Sequence, residues 1–186
     1  MLKETYLDTN VLLSPFHAGD SFASESLRIL RTRRIYKVTS PVTLVELCAT
    51  VSRLRREGTL AFEKQIEESL NRLGPSEQVY ALALFFLSFG SVKVIGMDTV
   101  AKAPFDDLSF ATLLEFMEAC RIAPLTLLRS LDNVHIAAVK VMKRQGRTID
   151  YLVTCDKGIL GRREELRRTV DVPVLSPAEL VETVRV

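Results

Sequence analysis

Four acidic residues stand alone in apolar stretches of the sequence. Asp8 lies in YLDTNVLL, Glu46 in VTLVELCATV, Asp132 in LLRSLDNVHIAAVKVM and Asp156 in YLVTCDKGIL. An isolated carboxylate on an element that looks buried needs a cation, which is a basic side chain or a metal ion. Most other acids lie in solvated runs such as 63–68, where a charge needs no such explanation.

A cluster of carboxylates suits Mg²⁺ or Mn²⁺, which keep some of their waters and bind substrate phosphates. Two such ions can activate a water and stabilise the leaving oxygen of a phosphodiester. Taken singly, each acid fits a cap or a salt bridge, but four together are harder to neutralise with side chains. The expected catalytic and metal-binding residues are Asp8, Glu46, Asp132 and Asp156.

Two small polar residues beside these acids are expected to support them. Asn10 and Thr154 can hydrogen-bond to the carboxylates or to a metal-bound water, although both also suit turns and strand ends. His135 follows Asp132 by three residues and shares its helix face, but we assign it a packing or capping role. Asp98 follows a predicted strand and is interpreted as a helix cap.

The bulk composition fits one domain, 1–186, with a substantial core. Hydrophobic residues make up 47% and charged residues 26% of the chain, which excludes a disordered protein. The three cysteines are widely spaced and form no CxxC pair, so they indicate a reducing compartment rather than a zinc site. We expect a cytoplasmic protein with no membrane contact, because signal-peptide and membrane-spanning patterns are missing.

The distribution of positive charge is more informative than the net charge of +2. Arginine outnumbers lysine 17 to 8 and occurs in clusters around 31–34, 53–56 and 162–168. The planar guanidinium group matches phosphate oxygens, so these clusters favour contact with nucleic acid. Each cluster is also compatible with a solvated helix face that is paired with glutamates.

The positions of the acids follow from the predicted elements. Strands are expected at Thr5–Leu7, Tyr36–Thr39, Val92–Ile95, Tyr151–Thr154 and Val170–Leu175, with helical patterns between them. This alternation predicts an α/β fold with a central parallel sheet flanked by helices. Ligands of such folds bind beyond the carboxyl ends of the strands, which is where Asp8 and Asp156 lie.

Several helices have sequence signals at their ends. Ser40-Pro41 and Ser176-Pro177 each combine an N-cap with proline at the first helical position. Helices are also predicted from Asp106 or Ser109 to Cys120 and from Leu125 to Arg144. A helical hairpin around 60–89 is unusually apolar, and it is expected to pack against the body or against a second subunit.

The segments YLDTNVLL, SPVTLVEL, LRSLDNVHIAAV and LVTCDKGI together resemble the PIN-domain nucleases in order and spacing. The resemblance implies a three-layer PIN-like fold and a metal-binding quartet at Asp8, Glu46, Asp132 and Asp156. It also implies that Thr154 is the small polar residue that comes two positions before the last acid. The hairpin around 60–89 makes the chain longer than the compact VapC-type toxin ribonucleases.

The resemblance implies an Mg²⁺- or Mn²⁺-dependent endoribonuclease, a hydrolase that cleaves RNA and is expected to form a homodimer or another homo-oligomer. A role as the toxin of a toxin–antitoxin pair, with a small antitoxin protein as partner, is compatible with it. An alternative is a catalytically weak PIN domain that binds RNA or acts as a scaffold. A phosphatase of the haloacid-dehalogenase type is disfavoured, because Asn10 stands where that chemistry needs an acid.

Overall fold

The computed structural model describes residues 2–96, 99–105 and 108–186. Its strands are β1 (Lys3–Leu7), β2 (Ile35–Thr39), β3 (Lys93–Val94), β4 (Val100–Phe105), β5 (Leu108–Leu113), β6 (Ile149–Val153) and β7 (Val174–Leu175). Five of them form one sheet in the order β3-β2-β1-β6-β7, and every neighbouring pair is parallel.

Helices connect the strands and cover the sheet. They are α1 (Thr9–Leu13), α2 (Ala23–Arg31), α3 (Pro41–Glu57), α4 (Lys64–Leu70), α5 (Pro75–Phe89), α6 (Leu114–Thr126), α7 (Ser130–Arg144), α8 (Lys157–Gly161), α9 (Arg163–Val170) and α10 (Pro177–Val184). The predicted α/β fold with a central parallel sheet flanked by helices is therefore confirmed.

Two apolar clusters divide the core between the faces of the sheet. Successive residues of a strand point to opposite faces, and accordingly Tyr6 belongs to one cluster and Leu7 to the other. Tyr6 packs in the cluster that contains Ile136 of α7, whereas Leu7 lies in the cluster with Leu47 of α3 and Phe86 of α5. Burial on both faces explains why the strands of this sheet are short apolar runs.

The predicted ends of two helices agree with the structure. Helix α3 begins after Ser40 with Pro41 in its first turn, and it ends at Gly58, whose φ of 67° is in the left-handed region. Glycine adopts this conformation without steric penalty, so it terminates the helix. Helix α10 begins with a capping box, in which Ser176 and Glu179 exchange hydrogen bonds.

The predicted helix from Asp106 or Ser109 to Cys120 is wrong in its first half. Strands β4 and β5 form a separate antiparallel ribbon there, and Ser109 pairs with Pro104. Helix α6 begins only at Leu114 and continues past Pro124 to Thr126, where Leu127 ends it with a φ of 52°. Pairing between the two segments thus prevails over the local helix signal. Asp98 and Asp106 lie outside the described residues.

The predicted helical hairpin consists of α4 and α5, with a shorter first helix than expected. Leu60 lies in an extended segment and forms an antiparallel bridge with His17. Helix α5 buries Leu82, Phe86 and Leu87 in the core. The assignment of 1–186 to one domain, with 60–89 as an elaboration, stays a prediction. Within the described ranges, no helix has the length and apolar character needed to span a membrane.

Candidate metal centre

Two of the predicted acids lie at the carboxyl edge of the sheet because they follow neighbouring parallel strands. Asp8 follows β1 and is the N-cap of α1, and its backbone N–H donates to Val153 O at 3.0 Å. Asp156 lies just beyond β6 and is the N-cap of α8. Strands β1 and β6 pair in parallel, so their ends bring these two loops together.

Asp8 is buried and accepts hydrogen bonds through both of its carboxylate oxygens. Oδ1 accepts from the backbone N–H of Thr9 at 2.7 Å, whereas Oδ2 accepts from Thr154 Oγ1 at 2.6 Å and Asn10 Nδ2 at 2.9 Å. Burial raises the pKa of Asp8 above its ordinary value, and the positive charge of His135 and the Thr154 hydrogen bond only partly oppose this rise.

Asn10 and Thr154 connect the loop after β1 to the loop after β6. Asn10 Oδ1 accepts from the backbone N–H of Cys155 at 2.9 Å. Thr154 Oγ1 donates to Asp8 and accepts from the backbone N–H of Asp156 at 2.9 Å. These hydrogen bonds hold the two loops, and the acids on them, in a fixed relation to each other.

Glu46 reaches the same place from α3. Its Oε2 atom lies 2.5 Å from Thr9 Oγ1, which donates to it, and 2.7 Å from His135 Nε2. Burial alone would raise the pKa of Glu46, but the bonds and charge of His135 and the bond from Thr9 outweigh burial and lower it. Glu46 is therefore a carboxylate at neutral pH.

His135 lies between Asp8 and Glu46. Its side chain is 2% exposed, and Nε2 is 3.6 Å from Asp8 Oδ1. Burial acts to lower the pKa of His135, but the Tyr6 hydroxyl and the two carboxylates outweigh burial and raise the pKa well above its ordinary value. The sequence analysis gave this residue only a packing or capping role, although its spacing from Asp132 was visible.

A buried hydrogen-bond chain behind His135 fixes the ring. Tyr6 Oη lies 2.7 Å from His135 Nδ1 and 2.8 Å from Ser40 Oγ. Tyr6 is on β1, Ser40 follows β2 and His135 is on α7, so the chain joins three elements that are far apart in sequence. The sequence gives no local signal for this contact, because it depends on how α7 packs over the sheet.

Asp132 and Asp156 line the other side of the centre. They share a cavity of about 330 Å³, whose walls also carry Arg129, Lys157 and Arg162. Burial raises the pKa of Asp132, and the charges of Asp156, Asp8 and Glu46 raise it further, so all four acids lie within electrostatic reach of one another. A larger cavity, of about 640 Å³, lies between α3 and α5 and is lined by none of these acids.

Asp156 uses one carboxylate oxygen to cap α8. Oδ1 accepts from the backbone N–H groups of Gly158 at 2.6 Å and Ile159 at 3.1 Å. A Cβ on residue 158 would lie 2.9 Å from this oxygen, so glycine permits the close approach. The second oxygen, Oδ2, accepts no hydrogen bond from the described residues.

The donor set fits a divalent cation. One ligand atom each of Asp8, Glu46 and His135 lies within 4.8 Å of the others, and Asp132 and Asp156 add two further carboxylates nearby. Oxygen donors match Mg²⁺ or Mn²⁺, and the imidazole is compatible with a transition ion. Four carboxylates with one imidazolium in contact leave a negative excess, which a divalent ion would neutralise.

Comparison with known families identifies the first half of this arrangement. A family model described as PIN domain matches residues 5–90. The match runs from β1 to the end of α5, so it includes Asp8 and Glu46, whereas Asp132, His135 and Asp156 lie beyond it. It supports the PIN-domain nuclease family. A search of curated proteins found no match to the chain.

Proposed function

We propose that the chain is a PIN-domain endoribonuclease that uses Mg²⁺ or Mn²⁺ to hydrolyse RNA phosphodiester bonds. The observation that carries the proposal is the group of four carboxylates at the carboxyl edge of the sheet, with a single imidazole in contact with two of them. The PIN-domain match over residues 5–90 gives this group a family context. RNA as the substrate rests on the resemblance to VapC-type ribonucleases.

The residues divide into ligands and supports. Asp8, Glu46, Asp132 and Asp156 would hold the metal, and Asn10 and Thr154 fix Asp8 through the hydrogen bonds given above. A bound divalent ion would activate a water and stabilise the leaving oxygen of the phosphodiester. Preorganised carboxylates can bind the ion without reorganisation, which is the main contribution of the protein in such a site.

The wall of the cavity beside Asp132 suits a phosphate chain. Arg129, Lys157 and Arg162 carry positive charge into the cavity that Asp132 and Asp156 also line. Among the described residues, Arg129 and Lys157 form no salt bridge, whereas Arg162 pairs with Glu165 at 3.2 Å. These cations would bind the phosphates next to the scissile bond and orient it toward the acids.

A cleavage assay with a matched control tests the proposal. Purified protein is incubated with a labelled RNA and with DNA of the same sequence, without metal and with increasing Mn²⁺ or Mg²⁺. We expect metal-dependent RNA cleavage, and a loss of at least about 100-fold for Asp132→Asn. Asp171→Asn removes the same charge from an exposed site at the far end of α7, and it should cleave like the wild type. Equal cleavage by all three proteins would reject the assigned site.

His135 favours a second candidate function, a PIN domain that binds RNA with little turnover. As an imidazolium, it already neutralises part of the charge on Asp8 and Glu46, so a metal must compete with it for these acids. Calorimetric titration with Mn²⁺ separates the two functions. RNA binding without detectable Mn²⁺ affinity supports the second candidate, whereas micromolar or tighter Mn²⁺ binding accompanied by cleavage supports the first.

A narrower hypothesis is that the protein is the toxin of a toxin–antitoxin pair and binds a small antitoxin protein. It is supported only by the resemblance to VapC-type ribonucleases. A small open reading frame next to the gene would supply the partner to test. Co-expression should then relieve growth arrest and yield a stable complex, and arrest that persists with the partner present would reject this role.

Self-association is a separate proposal that the α3 and α5 surface supports. Val45, Tyr80 and Leu84 are large apolar side chains that are exposed on these helices. Light scattering should show a homodimer or a larger homo-oligomer, and Leu84→Glu should shift it toward the monomer. A wild-type protein that is monomeric at high concentration would contradict the proposal.

A further inference from the structure

A second charge cluster lies around Glu118 on α6. The Glu118 side chain is 1% exposed, and Oε1 accepts from Arg121 Nη1 at 2.6 Å and from Arg144 Nη1 at 2.9 Å. Lys140 Nζ lies 3.1 Å from Oε2. Arg144 and Lys140 belong to α7, so one carboxylate gathers three cations from two helices.

This cluster has more positive charge than the buried acid can balance. Burial alone would raise the pKa of Glu118, but the bonds from Lys140, Arg121 and Arg144 outweigh burial and bring the pKa to about 2. The carboxylate is therefore ionised, and one negative charge faces three positive ones. In the ranges that the structure describes, no other acid forms a salt bridge with these cations.

The surplus charge is presented to solvent by groups that still have free donors. The side chains of Arg121 and Arg144 are 60% and 52% exposed, and each uses only Nη1 toward Glu118. A guanidinium group has five N–H donors in a planar fork, so both can bind a phosphate while they keep their bond to Glu118. A purely structural ion pair would need one or two cations here, and a third adds repulsion.

We propose that Arg121, Lys140 and Arg144 form a second RNA-binding site, which holds the phosphate backbone of the substrate away from the scissile bond. This inference rests on the proposed function in one respect, that the ligand is RNA. Glu118 acts as a buried anchor that holds the cations in place before RNA binds. A preordered site loses less side-chain entropy on binding than free surface arginines do.

The spacing along α7 defines which RNAs use this site. Lys140 and Arg144 follow Asp132 by eight and twelve residues, which corresponds to about 12 and 18 Å along a helix axis. A stacked strand advances about 3.4 Å per nucleotide, so about five nucleotides cover the longer distance. RNA of about 20 nucleotides can therefore reach both sites, and RNA of about three nucleotides cannot.

The test measures RNA binding rather than cleavage. Fluorescence anisotropy in EDTA follows oligouridylates of about 20 and about three nucleotides over a series of salt concentrations. The variant is Arg121→Gln/Arg144→Gln, and the control is Arg167→Gln/Arg168→Gln, which removes the same charge from exposed positions on α9. Thermal melts check that both variants are folded.

For the long RNA, we expect the slope of log K against log salt to fall by about 1.4 in the variant, since two phosphate contacts are lost at about 0.7 each. Affinity should fall about 10-fold or more at low salt, while the control retains most of both quantities. Binding of the short RNA should be equal in variant and control. An unchanged slope, or equal losses in variant and control, would overturn the inference.

Two further outcomes separate this inference from the proposed function. A wild type that cleaves RNA with metal, together with a variant of unchanged salt slope, rejects the second site and leaves the nuclease intact. A wild type that never cleaves RNA, together with the expected difference in slope, does the reverse. If polyglutamate binds with the same affinity as the RNA and the same loss in the variant, the site is a general polyanion site and the assignment to RNA is wrong.

Discussion

The two ends of α7 carry charge clusters of opposite composition. Near its N-terminus, four carboxylates are grouped with one imidazole, whereas near its C-terminus one carboxylate is grouped with three cations. Each cluster is far from neutral, and the two surpluses have opposite signs. Because isolated charge is costly in a protein, a surplus that persists indicates a place where a ligand supplies the missing charge.

The clusters also differ in where the surplus is placed. Asp8 and His135 are buried, so the negative surplus lies largely inside the protein, where solvent screens it little. Arg121 and Arg144 are exposed, so water screens the positive surplus. The metal-free protein should therefore be strained at the acid cluster, whereas the Glu118 cluster should lose stability only when its single acid is removed.

The largest effect on stability is expected for Glu118→Gln. The amide leaves three cations without a counter-charge, and we expect the free energy of unfolding to fall by about 2–3 kcal/mol, less than for a fully buried pair because two cations are exposed. Removing one cation with Arg144→Gln should cost under about 1 kcal/mol. Urea unfolding of both variants checks this, and equal losses would mean that Glu118 does not hold the cluster together.

A comparison of two Asp→Asn substitutions comes next in size. Asp8 accepts three hydrogen bonds through both oxygens, so an amide would place a donor against a donor and cost about 1–2 kcal/mol. Asp132 lacks such a network among the described residues, and Asp132→Asn should melt in EDTA at or above the wild-type temperature, because repulsion is relieved. A destabilised Asp132→Asn would show that this carboxylate has a structural role.

Tyr6→Phe should have a smaller effect, which is centred on His135. The ring loses its hydroxyl partner at Nδ1, and we expect a loss of about 1 kcal/mol in urea unfolding. The ¹⁵N shifts of the His135 ring should change as well, which a loss of packing alone would not produce. Unchanged shifts would mean that Tyr6 does not fix this ring.

The pH dependence of stability should have opposite signs at the two clusters. His135 has a folded pKa well above 6.5, so its contribution is present below pH 6.5 and is lost as the pH rises through the folded value. The raised pKa of Asp132 acts in the same direction above its ordinary value of 3.8. Glu118 has a pKa of about 2 against an ordinary 4.5, so its contribution is lost as the pH falls below 4.5.

Melting temperatures in EDTA between pH 3 and pH 9 check these signs. The wild type should be most stable in mild acid, and it should lose a few degrees on each side of that range. Asp132→Asn should weaken the loss on the alkaline side, and Glu118→Gln should weaken the loss on the acid side. A curve that changes only on the wrong side for either variant would contradict the assignment of charge.

The sequence predicted the sheet and the positions of the acids because both depend on local patterns. Asp8 and Asp156 follow apolar strands, and in a parallel sheet neighbouring strand ends meet. The ribbon of β4 and β5 was missed because strand pairing there overrides a local helix signal. Whether the four acids act as the catalytic and metal-binding set stays a prediction.

Other features depend on contacts that no short segment records. His135 meets Glu46 across 89 positions and Tyr6 across 129, so only the packing of α7 reveals its place between the acids. Glu118 had a usable signal, since it follows Phe116 and Met117 in an apolar stretch much as Glu46 lies in another. Its three cations look like ordinary surface charges in the sequence, so their convergence could not be predicted.

The central claim, that the acid cluster takes its missing charge from a divalent ion, is tested most directly by thermal melts with and without Mn²⁺. At a metal concentration of about 100 times Kd, the wild type should gain about 2.7 kcal/mol in the free energy of unfolding. Glu118→Gln should gain about the same amount, whereas Asp132→Asn should gain much less. A wild type whose melting temperature does not respond to Mn²⁺, or an Asp132→Asn variant that responds as the wild type does, would contradict the account.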